Sequence, residues 1–216
     1  MKSHRRNVTG KVLATFLAAV LFSTLSGCQF MKLIAIFGKP PTKLVKAEWP
    51  HLAGKKVSIV VWAEMDTLFE YPYIQLEISR HIEDALQPNV SDITIVSPRD
   101  VVKMQQNDPD WDRKAPTFLG EQFDADNVLF IELTQYTTRE PDSPHLFRGH
   151  IAANLKVYDV GFPNAAPLYR DNVEAMYPPE SAGQYGTDDI AIRKMTLEVF
   201  ATEVANKFYD RKVKVE

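Results

Sequence analysis

Three aspartates at alternate positions, Asp108, Asp110 and Asp112, have the spacing with which a calcium loop begins. Such a loop then needs Gly at its sixth place and a bidentate Glu at its twelfth, where Arg113 and Leu119 stand. The run reads instead as a turn, stiffened by Pro109, that stops one helix and opens a loop. His145 and His150 flank Arg148 in a segment containing Pro141 and Pro144. Two histidines hold zinc only with further ligands from elsewhere, and no His-Glu-x-x-His is present. They read as solvated residues of a hairpin loop over 139–148. Glu64, Asp66, Glu70 and Glu77 cluster near the end of the first strand. A carboxylate pair can do acid–base work, but acids that start a helix explain them more simply. Neither Ser97 nor Ser143 sits in a Gly-x-Ser-x-Gly elbow, and Gly161, Gly183 and Gly186 are too scattered for a phosphate loop. The expectation is therefore no metal, no cofactor and no catalytic centre.

Aromatics stand out more. Trp62, Phe69, Tyr71 and Tyr73 follow the first strand, interleaved with Glu64, Asp66 and Glu70. Protein interfaces favour rings at the centre and charges at the rim, so these four are the candidate partner-binding residues; packing into the core is the alternative.

One further residue carries chemistry. Cys28 is the only cysteine and closes the run Leu25-Ser26-Gly27-Cys28. Before it come four basic residues, Lys2, Arg5, Arg6 and Lys11, and an apolar stretch over 12–25. Basic, apolar and small, in that order, is a bacterial secretory signal. The apolar run is short for a membrane span, which needs roughly 20 residues. An uncleaved anchor over 12–37 would place Lys32 inside the bilayer, at about 3 kcal/mol on insertion scales. Ending in Cys28, the leader resembles a lipoprotein lipobox. The resemblance implies that Cys28 receives a diacylglyceryl thioether, becomes the mature amino terminus and is acylated there. Gln29 rather than Asp at the next position implies the outer membrane, facing the periplasm, with the inner membrane as the other site.

Removing residues 1–27 leaves about 189 residues, enough for one domain with arms. It also removes four basic and no acidic residues, lowering the net charge from −3 to about −7. An acidic chain has neither the basic face that nucleic acid demands nor a polybasic membrane patch. The lipid must do the anchoring.

The elements that would position these residues can be read from periodicity. Residues 28–54 look like a lipidated tether, with Pro40-Pro41, Lys39, Lys43 and Lys46 making a stiff, solvated arm. Strand 56–63 is apolar on both faces, as a central strand covered on both sides would be. A helix over 73–86 follows Pro72, with Ile74, Ile78, Ile82, Ala85 and Leu86 on one face and Glu77–Arg80 and Arg80–Asp84 as wet-face pairs. Next come a strand over 93–96, a helix over 99–106, a polar loop over 107–116, a helical turn over 117–123 and strands over 127–137, 149–160 and 168–176. A final helix is capped by Thr187, Asp188 and Asp189 and buries Ile190, Leu197, Phe200, Ala201, Val204 and Phe208. The charged tail over 210–216 is expected to fray. The fold class is thus α/β (α+β): a mixed sheet of about five strands with helices packed on it, in an autonomous domain spanning 55–209.

The strand 56–62, then 93–96 with Pro98, then Leu119-Gly120 with Ala125-Asp126-Asn127-Val128-Leu129, then Val157-Tyr158-Asp159-Val160, resemble a known pattern. It is the periplasmic α/β lipoprotein module shared by the TolB amino-terminal domain, the curli-secretion lipoprotein CsgG and the cell-wall-synthase activator LpoB. The usual Thr-Gly after the last Asp is replaced here by Gly161-Phe162-Pro163. The long amphipathic hairpins of a membrane-crossing pore are not among the segments. The resemblance implies a non-enzymatic, lipid-anchored accessory protein of an envelope complex whose partner is an envelope protein. The alternatives are a subunit of an oligomeric secretion or transport assembly, hence a homo-oligomer, and an envelope hydrolase.

Overall fold

The structure is a computed structural model that describes residues 41–140, 143–163, 165–179 and 189–214. Cys28, with its whole leader, lies outside the described residues, as do Thr187 and Asp188 of the expected helix cap. The chain divides into a compact unit, Leu44–Arg211, and a second made of Met1–Lys43 with Lys212–Glu216.

Strand β2 (Lys56–Trp62) is buried along both faces because it is central. It lies between β3 (Thr94–Ile95) and β4 (Asn127–Glu140), parallel to both. From β4 the sheet continues antiparallel through β5 (Ser143–Asp159) to β6 (Tyr169–Tyr177), giving the order β3-β2-β4-β5-β6. This is the mixed five-stranded sheet expected from the sequence. Val57, Ile59 and Val61 face one layer, where the Ile74, Ile78, Ile82 stripe of helix α2 (Ile74–Leu86) meets Leu197, Phe200 and Val204 of helix α5 (Asp189–Ala205). Gly149 on β5 is required by this packing, since a Cβ there would collide with Thr196 of α5. Val60 and Val128 face the other layer, formed by Val101 of helix α3 (Pro98–Asn107) and Leu119 of helix α4 (Pro116–Glu121).

Helix α1 (Met65–Glu70) lies between β2 and α2. The connection between β2 and α2 is held by two buried amides, as Gln75 of α2 and Gln105 of α3 both donate to the Val61 carbonyl, at 2.8 and 3.1 Å. Glu77 does not serve an intrahelical pair; it meets Arg193 of α5 at 2.6 Å.

Four expectations need correction. Residues 44–54 are not an arm: Leu52 is 0% exposed in the core, and Trp49 packs on Tyr169 and Phe208 while its N–H donates to the Lys207 carbonyl. Residues 211–214 do not fray; they form β7 (Arg211–Lys214), which makes a two-stranded sheet with β1 (Thr42–Val45). The segment over 139–148 is mostly not loop, because β4 runs to Glu140 and β5 starts at Ser143. Ile190 is 71% exposed, and it is Ile192 that turns inward.

Candidate functional site

Helix α1 leaves the carboxyl end of β2 and buries none of its own side chains completely. It is fastened from below. Leu68 packs partly on the core, and Tyr71, just past the helix, is only 8% exposed. The Tyr71 ring meets Tyr136 of β4 edge-on at 4.6 Å, its hydroxyl lies 3.4 Å from that of Thr138, and the Arg193 guanidinium sits 5.5 Å from its ring centre. Burial pushes the Tyr71 phenol above its ordinary range; Thr138 opposes this, and Glu70 and Asp189 add to it. Burial raises Tyr136 further still, so both phenols stay neutral and act as packing groups.

The opposite side of α1 faces solvent. Met65 and Phe69, four apart, share one face of α1, and Tyr73 lies past the end of the helix, at the residue before α2. They are 78, 88 and 69% exposed. Glu64, Asp66 and Glu70 surround them, all exposed and none ion-paired among the described residues. Of the four aromatics singled out from the sequence, Phe69 and Tyr73 are thus at the surface, Trp62 is half-buried on β2, and Tyr71 belongs to the core. Tyr71 is therefore withdrawn as a contact residue, because the β4–β5 hairpin arm covers it. Met65 went unnoticed; its spacing of four from Phe69 was the available signal.

The other constellations hold structure. Asp108 pairs with Lys114, and Asp110 with Arg113 at 3.0 Å. No group of three or more metal-ligating side chains gathers among the described residues. His150 is on β5 rather than a loop, its Nε2 2.7 Å from Glu174 on β6, and Arg148 beside it pairs with Glu140 at 3.1 Å. A cleft of about 490 Å³ opens beside the amino end of β2, and its lining includes Trp49, His51, Lys55, Asp124, Asp126 and Asp159. Two of its carboxylates are already used. Asp126 accepts the Lys56 N–H at 2.8 Å, and Asp159 accepts the Gly161 N–H at 2.9 Å. Asp126, just before β4, thus latches to the start of β2, whereas Asp159 closes the turn that follows β5.

No protein-family model matches the sequence, and no curated protein does. In fold the chain is similar to PelC from Paraburkholderia phytofirmans, a dodecamer, at 10% identity and a TM-score of 0.41, covering 78% of this chain and 99% of that one. It is similar to lipoprotein GNA1162 from Neisseria meningitidis at 14% identity and 0.43, covering 70% and 98%. It is also similar to the carboxyl-terminal domain of LpoB from Salmonella enterica at 11% identity and 0.30, covering 56% and 82%.

Proposed function

We propose that the chain is a lipid-anchored, non-enzymatic interaction protein of the bacterial cell envelope, held to the membrane through Cys28 and docking a protein partner through helix α1. The observation that carries the docking role is the exposure of Met65 and Phe69 on one face of α1, whose Leu68 packs against the core, and of Tyr73 just past the helix. Large apolar side chains aligned at the surface are costly to leave wet, at about 25 cal/mol per Å² of apolar area. Rings presented on a fixed backing lose little freedom on binding, which is how interface anchors work. The leader ending in Cys28 supports the anchor. Acylation there would consume the only thiol, and several acyl chains suffice for stable attachment.

In cells fed an alkynyl fatty acid, the wild-type chain is expected to carry label and sediment with membranes. It should appear, after mild detergent extraction, in species heavier than the free chain. Cys28→Ala should lose the label, fractionate as soluble protein and drop out of those species. Label persisting in Cys28→Ala would refute the anchor.

A further inference from the structure

Building on that docking role, we infer that the partner of α1 is a protein that presents an apolar groove bordered by Lys and Arg. Between Glu64 and Tyr73 the chain carries three carboxylates, Glu64, Asp66 and Glu70, and no basic residue. All three are exposed, and none has an ion-pair partner among the described residues. Rim charges of one sign select a rim of the other and steer its approach.

The same charges argue against two other occupants. A second copy docked patch to patch would set three carboxylates against three, and like charges at an interface cost several kcal/mol. An anionic lipid surface would repel them likewise.

The test places the photo-reactive p-benzoyl-phenylalanine at position 73 of the full, acylated chain in its own envelope. The expected product is an adduct to a different protein, with its cross-linked peptide bordered by Lys or Arg. Its yield should fall about tenfold in Glu64→Lys/Asp66→Lys/Glu70→Lys. Reversing the mapped Lys or Arg residues of the partner to Glu should restore it. Should the triple reversal melt below the wild type, Glu64→Gln/Asp66→Asn/Glu70→Gln replaces it, with a smaller loss expected. An adduct of twice the chain mass, an adduct to phospholipid only, or no adduct would overturn the proposal. An adduct to another protein that is indifferent to charge reversal would overturn the basic rim and leave the docking role of α1 standing.

Discussion

A chain that begins at Lys55 is expected to melt at least about 10 °C below one that begins at Thr42, or to fail to fold. The shortened chain loses Leu52, which is 0% exposed, and uncovers the pocket that Trp49 fills between Tyr169 and Phe208. Deleting one buried leucine costs roughly 2–5 kcal/mol, and a packed tryptophan a similar amount. A domain of this size has only about 5–15 kcal/mol to lose. The polar loss adds to this. Lys207, which ties Glu48 to Asp171 at 2.9 and 2.6 Å, would keep only Asp171, and the Tyr169 hydroxyl would no longer donate to Glu48 at 2.8 Å. Thermal unfolding of the two lengths, monitored by circular dichroism, checks this. Equal melting temperatures would show that residues 42–54 are an arm after all.

Tyr71→Ala and Phe69→Ala are expected to differ by several kcal/mol although the two rings are only two positions apart. Truncating Tyr71 removes a ring that is 8% exposed, ends its edge-on contact with Tyr136 and leaves the buried Thr138 hydroxyl without that neighbour. Large buried aromatics cost about 3–5 kcal/mol on truncation to Ala. Tyr71→Phe, which keeps the ring and drops the hydroxyl, should cost about 1 kcal/mol. Phe69 is 88% exposed, so its truncation should stay within about 0.5 kcal/mol. Urea denaturation of the leaderless chain measures all three. If Phe69→Ala costs as much as Tyr71→Ala, Phe69 is a core residue and the docking surface on α1 disappears.

Much of the fold was legible because its signals are local and repeated. Strand β2 is apolar on both faces, α2 repeats Ile74, Ile78 and Ile82, and β5 alternates Ile151, Ala153, Leu155 and Val157. The misread parts depend on distant contacts. Nothing near Trp49 or Leu52 signals that Lys207 and Phe208 close over them, and Pro50 and Gly54 mimic a linker. Residues 211–214, Arg-Lys-Val-Lys, are mostly basic and look solvated; their pairing with β1 is invisible locally. The candidate site shows the same limit within a few residues. Phe69 and Tyr71 are equivalent aromatics in sequence, and only Tyr136 and Thr138, more than 60 positions on, separate surface from core. Helix α1, at six residues, is too short for periodicity to declare it, so Met65 was passed over.

The most direct test of the central claim, that α1 docks a partner in the envelope, is the size of the acylated chain's native complex with and without the exposed side chains of Met65, Phe69 and Tyr73. Wild-type protein and Met65→Ser/Phe69→Ser/Tyr73→Ser would be extracted in the same mild detergent and sized side by side. The account predicts that the triple variant keeps its label, its membrane attachment and its melting temperature, yet runs as free chain while the wild type runs as a larger complex. A triple variant that remains in a complex of unchanged size would contradict it.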